Sequence, residues 1–279
     1  MQRFSIAFRR LLGWMLVLSL WSYASQVSSA QITVRMASFS DNTHAFFHEL
    51  LIEAFRLQGH ELQIISAVDV PQTRINLMLE SGKLDVHWFL PGEARDSRLH
   101  RVPVGLTNGL IGNRILFIPQ GQQWVYDRVK NLEDFRALNK VAGFGIGWFD
   151  ASVWHHNLLP VTELKGDWRV LYKQVAKGNR GVDYFSRGVN EIVTEAPIYP
   201  DLEVERGLVL IYDSDFVFYL SPQSALQAPM TKALTQARDS GLIERLIRKH
   251  YADVFDRYRL NDRVRITLDT PKGKDAANN

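Results

Sequence analysis

The stretch Leu79-Glu80-Ser81-Gly82-Lys83-Leu84-Asp85-Val86-His87-Trp88-Phe89-Leu90 carries the first decision about fold. It reads as the end of a helix over 72–80, a Ser81-Gly82 stop and an apolar strand over 84–90. Toward the N-terminus, 62–67 reads as a strand. Residues 45–57 (AFFHELLIEAFRL) carry apolar side chains at helical spacing and stop at Gly59. Before them, 31–36 (QITVRM) alternates polar and apolar residues and is rich in β-branched types. Strands alternating with helices predict a parallel sheet covered on both faces.

Toward the C-terminus the same grammar repeats. It gives a strand at 115–118, a short helix at 132–138, a strand at 141–146 running into a glycine-rich turn, and a helix within 148–159. Further strands are read at 170–172, 182–185, 208–212 and 216–220. Helices follow at 226–238 and, after Ser240-Gly241, at 242–255, where Leu242, Leu246, Ile247, His250, Tyr251 and Val254 share one face. Two α/β halves and a helical return predict an α/β protein of two lobes, with a cleft between them and two crossover segments. The expected division is 31–114 and 218–265 in lobe 1, 115–217 in lobe 2 and a disordered tail over 266–279. Ligands of such folds sit at the carboxyl ends of the strands, here after Met36, Phe89, Ile146 and Phe185.

The first thirty residues read as an export signal. Arg3, Arg9 and Arg10 precede an apolar run over 11–21, too short to span a bilayer, and Ser28-Ser29-Ala30 supplies small residues for cleavage before Gln31. The periplasm is the expected location. Removing this segment leaves 249 of 279 residues and takes away three arginines and no acid, so the formal charge falls from +3 to zero. A nucleic-acid partner thereby loses its global support. The chain has no cysteine, hence no disulfide, thiolate nucleophile, cysteine-bound metal or lipidated cysteine.

The order of segments resembles the type 2 periplasmic solute-binding fold, in particular the family 3, amino-acid-type binding proteins, over roughly residues 32–255. The residues that carry the resemblance are Leu79 to Asp85 ("sGk.D"), Glu93-Ala94-Arg95 ("T.eR"), Gly109 to Ile118 at the crossing between lobes, Asn131 to Phe135 ("sl.dL"), Ala176 to Asp183 ("l..gr.Da") and Asp239 to Tyr251 ("dG....i..ky"). Gln72-x-Arg74, Asp85-Val86-His87-Trp88, Gly109 to Arg114 and Asp183 to Val189 resemble a divergent branch of that family. The resemblance implies a Venus-flytrap receptor, monomeric and without cofactor, that takes a small-molecule solute and meets a membrane permease or sensor protein. One departure stands out. The position at which amino-acid binders place an acid for the ligand ammonium falls at Gly188, next to the cation Arg187.

The candidate ligand-binding residues are Phe39, Arg74, Trp88, Arg95, Trp148, Asp150 and Arg187. Arg95 matches the family arginine that clamps a ligand carboxylate, a task for which a guanidinium fork is suited; the alternative is a solvated arginine beside Arg98 and Arg101. Arg187 either reaches the cleft mouth, where with Arg95 it holds a second anionic group, or pairs with Asp183 or Glu191. Phe39, Trp88 and Trp148 are aromatic walls or core. Asp150 either accepts from a ligand donor or caps the following helix. His44 and His48 have the spacing of a zinc pair but lack the HExxH order and a nameable third ligand. Gly143-x-Gly145-x-Gly147 lacks nucleotide-loop spacing and reads as a tight turn that lets a ligand approach the backbone.

These residues support a solute-binding protein for a small, carboxylate-bearing solute. The alternative on the same fold is an enzyme resembling cyclohexadienyl dehydratase, a dehydratase or lyase using Asp150, Glu191 or His87 as acid or base. A third reading is a relative that binds only a protein partner.

Overall fold

The parallel pair predicted at the start of the chain forms between β1 (Gln31–Ser38) and β2 (Glu61–Val68), in register from Gln31 opposite Glu61 to Ser38 opposite Val68. The helix between them, α1 (Ala45–Arg56), buries Phe46, Phe47, Leu50, Leu51, Ala54 and Phe55 on one face. Each of the Phe and Leu side chains contributes about 1.5–3 kcal/mol of transfer free energy, ample to hold a twelve-residue helix against the sheet. A computed structural model describes residues 31–271 except Asp41, Asn179 and Arg180 and the side chains of Gln72 and Thr73. The expected export signal over 1–30 and the polar stretch after Pro271 lie outside the described residues.

The chain continues through α2 (Gln72–Glu80), β3 (Val86–Phe89), α3 (Glu93–Asp96), β4 (His100–Arg101), β5 (Asn113–Pro119), α4 (Leu132–Ala137), β6 (Ala142–Gly145) and α5 (Phe149–His156). Then come β7 (Val161–Leu164), α6 (Val170–Ala176), β8 (Tyr184–Gly188), α7 (Val189–Glu195), β9 (Leu202–Val204), β10 (Leu208–Ile211) and β11 (Val217–Leu220). The last elements are α8 (Gln227–Asp239), α9 (Leu242–His250), α10 (Ala252–Asp256) and β12 (Val264–Thr267).

Two lobes result. In the first, β11 pairs antiparallel with both β3 and β4. The β1–β2 pair joins this sheet through Arg35: its N–H donates to Asp85 Oδ2 at 2.7 Å, its guanidinium pairs with the same carboxylate, and Asp85 N–H returns a bond to Arg35 O at 2.9 Å. The Ser-Gly-Lys-x-Asp turn thus locks the strand entry to β1. α1 packs on β2, α8 and α9, and Glu49 of α1 accepts from Lys249 at 2.6 Å and pairs with His250 at 2.7 Å.

The second lobe holds a seven-stranded sheet ordered β12-β10-β5-β8-β6-β7, with β9 on β5. β6 runs parallel to β7 and β8, so the turns after these three strands open at one edge.

Three expectations are corrected. Residues 170–172 are helical: Leu171, Tyr172, Gln174 and Val175 are buried at helical spacing, a pattern that three apolar residues read alone hide. The helix read over 242–255 breaks at Tyr251 (φ −123°, ψ 34°) into α9 and α10. The tail does not start at 266. β12 pairs parallel with β10, and Ile266 and Leu268 are buried, so the chain returns to the second lobe after its C-terminal helices.

Candidate ligand-binding cleft

In the first lobe the turns after β1 and β3 supply the candidate groups. His44 shapes the first of these turns: its Nδ1 accepts from Phe39 N–H at 3.0 Å, which leaves Nε2 to meet Ser38 Oγ at 3.1 Å. His48 meets Ala37 O at 2.9 Å. The two imidazoles, which have only the spacing of a zinc pair, hold the turn and its backbone, and among the described residues no group of three metal-ligating side chains forms. Phe39 is half-buried, edge-on to Trp88 at 6.1 Å. Trp88 itself is 8 % exposed and packs in the core. It lies flat on Phe47 at 4.2 Å, with the His87 ring at 4.1 Å, because all four residues of β3 are buried.

Arg95 sits in α3, at the carboxyl end of β3, half-buried. Its guanidinium lies 4.5 Å from the centre of the Phe89 ring and donates to Leu90 O at 2.5 Å. Burial pulls its pKa below the usual arginine value, against the raising influence of Tyr219. Its neighbours behave otherwise. Arg98 pairs with Glu80 at 2.8 Å and Arg101 with Asp96 at 3.1 Å, whereas Arg95 has no carboxylate within ion-pair distance among the described residues. Asp96 lies near enough to favour its charge without forming such a pair. Arg74 is exposed in the first turn of α2.

In the second lobe Trp148, Asp150 and Arg187 do come together; Arg187 takes Glu191, the partner named as its alternative, and Arg114, Tyr212 and Glu195 are the partners the sequence reading left out. Arg187, in β8, is 6 % exposed and donates to Glu191 at 2.9 Å and to Glu195 at 2.5 and 2.9 Å. It does not project into the cleft as a free cation: its charge is spent on α7. Burial opposes that charge, yet Glu191 and Glu195 hold its pKa well above the usual value. Asp150 neither caps α5 nor stands free. It pairs with the buried Arg114 and accepts from Tyr212 O–H at 2.8 Å. Arg114 in turn lies 3.5 Å from Glu191, so three carboxylates face two guanidiniums. Glu191 Oε2 also accepts from Gly188 N–H at 2.8 Å, which brings an acid back to the position where the sequence shows only glycine.

The glycine-rich turn serves packing. A Cβ on Gly145 would lie 2.5 Å from Trp148 Nε1, and one on Gly143 would lie 2.7 Å from Leu171 Cδ2. The missing side chains admit Trp148 and Leu171, in place of the ligand expected there. Trp168, half-buried beside Trp148 at 5.4 Å, is the aromatic residue that sequence reasoning missed. Two surface depressions, one beside Arg35 and Asp85 and one beside Tyr126 and Lys140, contain none of the candidate residues.

Asp150 and Glu191 belong to the ion-pair network, and His87 is 3 % exposed with Nδ1 lacking a protein partner. Burial, with His48 and Arg95 as positive neighbours, lowers the His87 pKa from 6.5 to about 3. The unfolded chain therefore takes up a proton below pH 6.5 that the folded chain refuses until about pH 3, and stability is lost as pH falls through this window. The expected loss is about 1.4 kcal/mol per pH unit below about 6. Denaturant unfolding of wild type and His87→Phe at several pH values checks it: the substitution should remove this slope, and an equal slope in both would place the titration elsewhere.

The element order and the two sheets define the fold as two-lobed and periplasmic-binding-protein-like. Among solved structures, the "probable amino-acid ABC transporter extracellular-binding protein" of Bacillus subtilis matches with a TM-score of 0.58 at 14 % identity, covering 79 % of this chain and 98 % of its own. A candidate ABC transporter binding component from Wolinella succinogenes, complexed with lysine, matches at 0.54 and 14 %, covering 80 % and 97 %. An ancestral arginine-binding protein bound to arginine matches at 0.51 and 15 %, covering 78 % and 98 %. These neighbours are binding proteins, and at such identities the likeness is one of fold. No protein-family model and no curated protein sequence matches the chain.

Proposed function

We propose that this protein is an exported, periplasmic solute receptor: it captures a small carboxylate-bearing solute between its lobes and presents the closed form to a membrane transporter or sensor. The observation that carries this reading is Arg95, half-buried at the carboxyl end of β3 against the Leu90 carbonyl and the Phe89 and Tyr219 rings, with no carboxylate within ion-pair distance among the described residues. Phe39, from the neighbouring turn, supplies an apolar wall, and Trp148 one from the other lobe. A ligand that touches both lobes favours the closed arrangement by its extra contacts there. Arg74, exposed in the first turn of α2, adds a second charge in this reading. The receptor acts as a monomer and turns nothing over.

Thermal-shift screening of the protein against amino acids, hydroxy acids, dicarboxylates, peptides and polyamines tests the reading. At a hundredfold excess over Kd a bound solute adds about 2.7 kcal/mol, or roughly 5–10 °C in Tm for a chain of this size. At least one carboxylate should give such a shift; a panel without any shift contradicts the proposal.

A further inference from the structure

The turns after β6 and β7 and the end of β8 converge on one point. Trp148, Trp168 and Phe185 stand with ring centres 5.4 to 6.1 Å apart, and the Arg187 guanidinium carbon lies 5.5, 4.9 and 5.3 Å from their respective centres. Glu191 and Glu195 close the remaining side. Aromatic faces around a cation, with carboxylates at its N–H edges, are the chemistry that recognises a guanidinium or ammonium ligand. The two tryptophans keep part of their surface in solvent, while the cation between them is 6 % exposed.

We propose that Arg187 is a tethered occupant of a cation cage, and that it sets the second lobe against solutes with a guanidinium or ammonium side chain. This rests on the solute-binding reading and narrows its substrate class to solutes whose far end is neutral or acidic. To enter the cage, an external cation must displace a side chain held by two ion pairs and three rings, whose covalent tether keeps its effective concentration far above any solute's. Removing the tethered group reverses the preference, since Glu195 and the aromatic walls then lack their cation and Glu191 keeps only Arg114, 3.5 Å away.

The test compares wild type with Arg187→Ala, using methylguanidinium as probe and sodium chloride of equal ionic strength as control. Wild type should show no Tm shift with methylguanidinium, arginine, agmatine or spermidine. Arg187→Ala should melt lower and recover by about 5 °C, saturably, in methylguanidinium but not in salt. A matching change in tryptophan fluorescence should come from Trp148 and Trp168. Saturable binding of a cationic side chain to the wild-type cage, lost in Trp168→Leu, overturns the proposal, and so does Arg187→Ala that is folded yet indifferent to methylguanidinium.

Should Arg187→Ala fail to fold, its recovery on adding methylguanidinium is the same rescue. Without that recovery, Arg187→Met/Glu195→Gln decides: saturable methylguanidinium binding, through the one carboxylate left, supports the cage, and none refutes it. The carboxylate screen and this rescue fail independently, so loss of one does not imply loss of the other.

Discussion

Arg114→Met is expected to destabilise the protein by about 3–5 kcal/mol, a fall of roughly 10 °C in Tm. Arg114 is 4 % exposed and Asp150 is 5 % exposed, so their pair sits away from water. Removing the guanidinium leaves Asp150 with the Tyr212 hydroxyl alone, and a buried carboxylate without its cation carries most of its desolvation cost uncompensated. Glu191 loses a partner as well but keeps Arg187 and the Gly188 N–H. Burial holds the Tyr212 phenol well above its usual pKa, so it stays a neutral donor to Asp150 and supplies no counter-charge. The double substitution Arg114→Met/Asp150→Leu should recover much of the loss, because it removes both charges together. Calorimetry of the three variants checks the pattern. A single substitution costing under about 1 kcal/mol would mean that the pair is not the buried network described.

The second large effect falls on binding and leaves the fold alone. Arg95→Ala should weaken the carboxylate solute by about 100-fold, equivalent to roughly 3 kcal/mol for the lost charge-assisted bonds. The unliganded protein should change by no more than about 1 kcal/mol, since Arg95 contributes one bond to Leu90 O and its stacking on Phe89. Arg95→Lys keeps the charge without the planar fork and should fall between the two. Titration calorimetry reads the affinity and thermal unfolding reads the stability. Equal loss of both would make Arg95 a structural residue.

Much of the architecture was legible before any coordinates. The alternation in 31–36, the helical stripe of 45–57 and the Ser81-Gly82 stop are local signals, and each formed the element expected. Elements that depend on distant partners were not legible. β12 has only four residues, and its pairing with β10 spans the helical return. The strand over Val161–Leu164 is equally short, and without it nothing marks Trp168 as following a strand end. The site was legible by position more than by role. Trp88 was placed on the right strand, but alternation cannot distinguish a wall from core when both faces of the strand are buried. Glu191 and Glu195 lie four and eight residues beyond Arg187, a spacing that becomes an ion-pair cluster only because the chain turns from strand to helix at Gly188.

The central claim is that a carboxylate solute closes the two lobes through Arg95. Small-angle X-ray scattering of wild type and Arg95→Ala, each with and without the solute found by screening, tests it most directly. The predicted result is a smaller radius of gyration for wild type on saturation and no change for Arg95→Ala at the same concentration. A wild-type protein that binds the solute with its radius unchanged, or an Arg95→Ala variant that contracts equally, would contradict it.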